Sequence, residues 1–206
     1  MKISKLHYIT HSPAHVEEAC IGGIDWIQLR VKHTNDDDWK MIAEETKIIC
    51  KKYNARLIVN DSVKLAKMVN ADGVHLGKDD MPPDEARDLL GPDFIIGGTA
   101  NTFEDIQRLA ALKVDYIGLG PFRFTKTKTN LSPLLGLQGY LDIMKECVIE
   151  NIKVPVIAIG GIKEGDVKEL LSTGIYGIAV SSAISDSGDI SATARAFIRK
   201  MKNDLV

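Results

Sequence analysis

Cysteine is scarce in this chain of 206 residues: Cys20, Cys50 and Cys147 are far apart and form no CxxC pair. That excludes a disulfide framework and a zinc knuckle, and it fits a reducing cytoplasm. Long apolar runs are missing too, since nowhere do roughly 18 uncharged apolar residues follow one another, the length a membrane helix needs. The opening MKISKLHYIT has lysines but no apolar stretch of the kind an export signal carries, so a soluble, unexported, cytoplasmic protein is expected. Neither sign of charge dominates. Lys and Arg number 26 and Asp and Glu 28, interspersed, for a formal net charge of -2. This balance makes no electrostatic case for a nucleic-acid or membrane partner, so any anion must be gripped locally. No linker, low-complexity tract or composition shift divides the chain, and residues 1–206, 45% hydrophobic, read as a single domain with a substantial core. Self-association into a homo-oligomer stays open.

Two familiar motifs are also lacking. No GxxxxGK[ST] occurs, and GLGPFR departs from GxGxxG at Arg123, so a nucleotide cradle loses its main support. His7, His11 and His15 are spaced like ligands on a helix face, but His7 sits in a strand-like run and Pro13 interrupts the rest. A metal role for them is set aside.

What the chain does have is repetition. Short apolar runs are followed by a polar or glycine turn and then by a stretch of helical periodicity. The candidate strands are eight: LHYIT (6–10), IDWIQLR (24–30), RLIVN (56–60), GVHL (73–76), FIIGGT (94–99), YIGLG (116–120), VPVIAIG (154–160) and GIAVS (177–181). Between them lie amphipathic segments such as DDDWKMIAEETKIICKKY, TFEDIQRLAAL and LQGYLDIMKECVIE, several with Asp, Ser or Thr placed to cap the start. Strands alternating with helices eight times over predict an α/β fold, a single-domain (β/α)8 TIM barrel, with an open doubly wound sheet as the alternative. The first unit is the shortest, because only HSPAHVEEACIGG joins its two strands, room for barely two helical turns.

In such a barrel chemistry sits where the strands end. Seven of the eight ends bring Gln28, Arg30 and Lys32 together with Asn60, Asp61, Gly77 to Asp80, Thr99, Thr125 to Lys128, Gly160, Gly161, Ser181 and Ser182 on one rim. In WIQLRVK (26–32) the apolar Trp26, Ile27, Leu29 and Val31 read as the buried side of a strand, with Gln28, Arg30 and Lys32 sharing the other. The glycines and serines after the seventh and eighth strands suit a phosphate held by backbone N–H groups, the plainer alternative being tight turns with no ligand. In the sixth loop, Thr125, Thr127 and Thr129 alternate with Lys126 and Lys128; with Arg30 and Lys32 they suggest a second, more highly charged anion. Asp61, Asp79 and Asp80 would repel such an anion unless a hard divalent ion such as Mg2+ lay between carboxylate and phosphate oxygens, the plainer alternative being turn caps or ion pairs.

QLRVK after the second strand, VNDSVKLAKMVNADGVHLGKDD across the third and fourth, GGTANT after the fifth, GLGPF followed by TKTK, and AIGGI with VSSAIS together closely resemble the thiamine phosphate synthases, from about residue 24 onward. The resemblance implies a transferase that joins hydroxymethylpyrimidine diphosphate to thiazole phosphate, giving thiamine phosphate and diphosphate. It implies that Gln28, Arg30, Lys32, Asn60 and Lys128 contact the pyrimidine diphosphate, with Thr99 near it. Asp61 and Asp80 would hold Mg2+, and Thr125, Thr127, Gly161, Ser181 and Ser182 would receive the thiazole phosphate. Arg30, Lys32, Thr99 and Lys128 are the expected catalytic set, since bond breaking at a benzylic carbon beside an electron-rich aminopyrimidine needs charge stabilisation more than a base. Phe124 stands where the family commonly has proline before the first threonine.

Two rival activities are set beside this one. Thiazole tautomerases share the fold but move a proton, and place a histidine after the fifth strand where this chain has Asn101, an amide that cannot shuttle protons. His75 offers another acid or base, but reads better as a hydrogen-bonded barrel histidine. A non-catalytic protein that binds thiamine precursors would not need both aspartates and the full set of cations.

Overall fold

The computed structural model describes residues 2–32, 34–124 and 133–203. Its order is β1 (Leu6–Thr10), α1 (Pro13–Ile21), β2 (Trp26–Leu29), α2 (Asp36–Lys52), β3 (Arg56–Asn60), α3 (Val63–Met68), β4 (Gly73–Leu76), α4 (Pro83–Leu90), β5 (Ile95–Ala100) and α5 (Phe103–Ala111). There follow β6 (Tyr116–Leu119), α6 (Gly136–Ile149), β7 (Val156–Ile159), α7 (Val167–Ser172), β8 (Gly177–Val180), α8 (Ser182–Ser185) and α9 (Ile190–Asn203). Each strand pairs in parallel with the next, and β8 returns to β1, so the sheet closes as a (β/α)8 barrel with no open edge.

Local chemistry starts several helices, at Ser62 and Thr102 as the sequence predicts and at Asn35 rather than at the Asp that opens DDDWK. Ser12, Asn35, Ser62 and Thr102 each accept a hydrogen bond from the backbone N–H three residues on, which satisfies a donor that the helix itself leaves unpaired. With Ser12 as cap and Pro13 in its first turn, the short α1 forms in nine residues. Helices α4 and α9 are not among the amphipathic segments picked out above. α4 follows Pro82, whose backbone has no side-chain cap to announce it, and α9 follows α8 after the strand pattern has ended. Among the described residues no helix is long and apolar enough to cross a membrane.

Strand alternation divides the core in two. Ile27, Leu29, Leu57, Val59, Val74, Ile96, Ile117, Ala158 and Ile178 face the helices. Ile9, Trp26, Ile58, Ile95, Tyr116, Ile157 and Ala179 fill the barrel's interior. Trp26 therefore does not side with Ile27 and Leu29, as the reading of WIQLRVK has it, but with Gln28. A period of two puts residues 26 and 28 on one face, and the lower interior of a closed barrel is a packed apolar core, so one strand face turns from indole to amide along its length. The ladder also ends at Leu29, which leaves Arg30 half-buried and Lys32 exposed in the segment beyond it. Strand alternation no longer governs where Lys32 points.

Candidate active site

The floor of the rim is a set of stacked rings. His7 lies over Trp26, centroids 4.4 Å apart, and meets Tyr116 edge-on at 5.0 Å. Burial pushes the His7 imidazole down to about 3, so the ring is neutral, with Nε2 bound to the Ser4 carbonyl at 2.9 Å. Above these rings the inward positions turn polar. Gln28, Asn60 and His75 are all buried, and the register sets Asn60 level with His75 and His75 level with Gly97. His75 Nδ1 lies 3.0 Å from the Tyr116 hydroxyl, and Nε2 lies 3.0 Å from Thr99 Oγ1. Burial holds the Tyr116 phenol well above the usual range.

Room for these rings comes from glycine. A Cβ at Gly97 would overlap the Tyr116 ring and come within 2.6 Å of His75 Nδ1; one at Gly118 would stand 3.1 Å from His75 Cε1. The sequence signal was present in FIIGGT and YIGLG, because glycine inside a strand marks close approach of another group. Tyr116 was missed as a site-supporting residue, although alternation turns it inward.

At the strand ends the carboxylates appear. Asp61 follows β3 with φ 65°, a left-handed backbone that Asp tolerates better than most residues, and its N–H donates to the His75 carbonyl at 2.8 Å. Asp80 is half-buried, and its Oδ2 accepts from the Gly77 N–H at 2.6 Å, so the turn-capping role weighed from sequence is present. A small cavity of about 70 Å³ is lined by Gly77, Lys78, Asp80 and Thr99, which brings the fourth and fifth loops to one opening. A larger cavity of about 420 Å³ lies where the strands begin, beside Lys5, Pro155 and Tyr176, at the end of the barrel away from the usual seat of chemistry.

The donors suit a hard cation. Asp61 and Asp80 offer oxygen only and close two adjacent strands, and among the described residues no group of three His, Cys, Asp or Glu could hold a metal alone. An ion here would need further oxygens from elsewhere, as Mg2+ does when it takes one or two carboxylates and completes its shell with phosphate and water.

The seventh and eighth loops lie side by side, since Ile159 pairs with Ala179 and thereby sets Gly161 beside Ser181. Gly161 has φ 67°, and a Cβ there would meet Arg123 Cγ at 2.5 Å. Ser181 is half-buried and precedes α8, whose first residue, Ser182, is exposed. Arg123 grips Asp166 with both guanidinium nitrogens, at 2.6 and 2.8 Å, and donates to the Gly161 carbonyl at 3.1 Å. Burial works against ionisation of Asp166, but Arg123 and the Lys163 N–H outweigh it and hold the carboxyl below 3.8. The sequence reading noted Arg123 only as a break in a glycine motif. Thr125, Thr127 and Lys128, three of the expected ligands, lie outside the described residues.

Two further groups bound the chemistry. The Asn101 carboxamide donates to the Gly120 carbonyl and so ties the fifth loop to the end of β6. Lys78 pairs with Asp105 at 2.5 Å; burial opposes ionisation of this carboxyl, but Lys78 and the N–H groups of Asn101 and Thr102 hold it below 3.8. The three cysteines are free and buried, and burial raises their thiols, Cys20 to about 11, which leaves none as a ready nucleophile.

Against known proteins, residues 3–184 match the family described as thiamine monophosphate synthase. A thiamine-phosphate synthase of Flavobacterium johnsoniae is 50% identical over 192 residues, spanning 90% of this chain and 91% of that protein. One from Bacteroides thetaiotaomicron is 48% identical over 199 residues, spanning 94% and 95%. Among solved structures, a thiamine phosphate pyrophosphorylase from Pyrococcus furiosus superposes with a TM-score of 0.87 at 31% identity, over 98% of this chain and 97% of that one.

Proposed function

This chain belongs to the thiamine monophosphate synthase family and is a transferase, and from that premise we propose that it condenses 4-amino-2-methyl-5-hydroxymethylpyrimidine diphosphate with thiazole phosphate, releasing diphosphate. The observation that carries the choice of substrates is the company kept at one rim. Inward-facing amides and a hydroxyl (Gln28, Asn60, Thr99), the cation Arg30 and two strand-end carboxylates (Asp61, Asp80) suit a polyanion that arrives with a divalent ion, while the paired loops at Gly161 and Ser181 suit a single phosphate.

The reaction breaks the bond between the pyrimidine's methylene carbon and the diphosphate oxygen; the electron pair leaves with the oxygen, and the thiazole nitrogen lone pair forms the new C–N bond. No proton need be removed. Mg2+, held by Asp61 and Asp80, would neutralise charge as it builds on the leaving group. Arg30 presents a planar fork to the same oxygens, with Lys32 and Lys128 as further cations. Gln28 and Asn60, fixed on barrel strands, orient the pyrimidine diphosphate. The Gly161, Ser181 and Ser182 loops, with Thr125 and Thr127, hold the thiazole phosphate in line for attack. We place the enzyme in the cytoplasm, where its three unpaired cysteines stay reduced.

The tautomerase reading is weaker here because Asn101 is spent as a donor to Gly120, and an amide carries no exchangeable acid function. One pair of experiments separates the two. The purified protein given both substrates should form thiamine phosphate and diphosphate in equal amounts. Given thiazole phosphate alone in D2O, it should leave the substrate's carbon-bound hydrogens unexchanged; exchange without diphosphate release would favour the tautomerase.

A further inference from the structure

Beneath the rim, three side chains from three different strands make one continuous line of hydrogen bonds: Tyr116 on β6, His75 on β4 and Thr99 on β5. The inner members have little freedom to do otherwise. Tyr116 is 1% exposed and His75 7%, and each ring occupies space that a side chain at Gly97 would fill. A neutral imidazole donates from one nitrogen and accepts at the other, so the line has a direction. In one direction the phenol donates to Nδ1, Nε2–H donates to Thr99 Oγ1, and the threonine proton is left to point into the site. In the other, the threonine donates to Nε2 and Nδ1–H donates to the phenol. Only the first leaves Thr99 able to donate to an anion at the rim.

We propose that Tyr116 and His75 are positioning residues which fix the imidazole as its Nε2–H tautomer and so hold the Thr99 hydroxyl as a donor toward the pyrimidine diphosphate. Both would act through Thr99 rather than on the substrate itself. This rests on the assignment of the rim to that substrate, and it adds a reason why a histidine and a tyrosine are buried under it.

The test has two arms. Long-range ¹H–¹⁵N NMR on the intact protein without ligand should show His75 as a single neutral Nε2–H tautomer; a predominant Nδ1–H form would overturn the proposal. This arm decides even if no variant folds or if the substrate assignment fails. In the kinetic arm, Tyr116→Phe keeps the ring and removes the hydroxyl. It should lower kcat/KM for the pyrimidine diphosphate by roughly tenfold, the worth of one hydrogen bond to a charged group, with KM for the thiazole phosphate unchanged. In a Thr99→Val background the same change should add less than about twofold, because its route to the ligand is already cut. Full additivity, or equal loss toward both substrates, would make Tyr116 merely structural. If the unaltered enzyme releases no diphosphate, the functional reading fails and the NMR arm still stands.

Discussion

Asp61 is where conformation and chemistry meet in a single residue. Its left-handed φ of 65° is strained for most side chains and is tolerated best by Asn, Asp and Gly. Backbone and carboxylate can therefore be tested apart. Asp61→Asn keeps the tolerant backbone and removes the charge; it should unfold with nearly the unaltered midpoint while diphosphate release falls by about 10²-fold or more. Asp61→Ala should lose as much activity and in addition about 1 kcal/mol of stability, read by denaturant titration. Full turnover in Asp61→Asn would remove this residue from the metal site. At Arg30, lysine retains the charge but not the two-pronged donor geometry. Arg30→Lys should lower kcat/KM measurably, and Arg30→Ala by at least about tenfold more, with part of the loss in kcat because the leaving group gains charge as the bond breaks. Steady-state kinetics with the pyrimidine diphosphate varied would show it, and unchanged kcat in both variants would mean that Arg30 serves binding alone. Residue identity alone pointed to acids and cations at this rim. It did not show that Asp80 spends one oxygen on the Gly77 N–H, because that bond depends on how a four-residue turn closes.

Among elements, the seventh loop depends on the sixth. Gly161 is required twice, by its φ of 67° and by Arg123 Cγ, which stands 2.5 Å from where a Cβ would go. Gly161→Ala should lower stability by about 1–2 kcal/mol and raise KM for the thiazole phosphate. In an Arg123→Ala background, where that Cγ is gone, its penalty should shrink to the backbone part of about 1 kcal/mol. Denaturant titration of the four proteins closes the cycle, and strict additivity would show that the contact does not matter. At this scale the sequence was legible where a rule is local. Eight strands stood out because apolar runs recur, and the starts of α3 and α5 because Ser62 and Thr102 sit before them. It was less legible where the rule is global. Trp26 looked like a partner of Ile27 and Leu29 because all are apolar, and only closure of the barrel shows that an interior face needs large apolar groups below and polar ones above. The Arg123–Asp166 pair joins residues 43 positions apart, a separation that no spacing rule anticipates.

The whole molecule combines a hydrophobic lower interior with a polar mouth, and a titrating group is buried in the first. Burial holds the His7 pKa at about 3 in the folded state against 6.5 ordinarily. Between those values the unfolded chain binds a proton that the native state refuses, so the stability is present above pH 6.5 and is lost as pH falls toward 3, by up to about 1.4 kcal/mol per pH unit. Asp105 and Asp166, whose carboxyls are held below 3.8, contribute stability that is lost only in more acid solution. His7→Phe keeps a ring against Trp26, and unfolding free energies measured from pH 6 to pH 4 should then change less steeply than in the unaltered protein; equal slopes would mean that His7 titrates freely. The central claim is that carboxylates and cations at this mouth act together, through Mg2+, on a departing diphosphate. The most direct measurement is diphosphate release with both substrates, with each omitted in turn, and with a chelator followed by restored Mg2+. Release should require both substrates, fall to background in chelator and return with Mg2+. Undiminished release in excess chelator would contradict it.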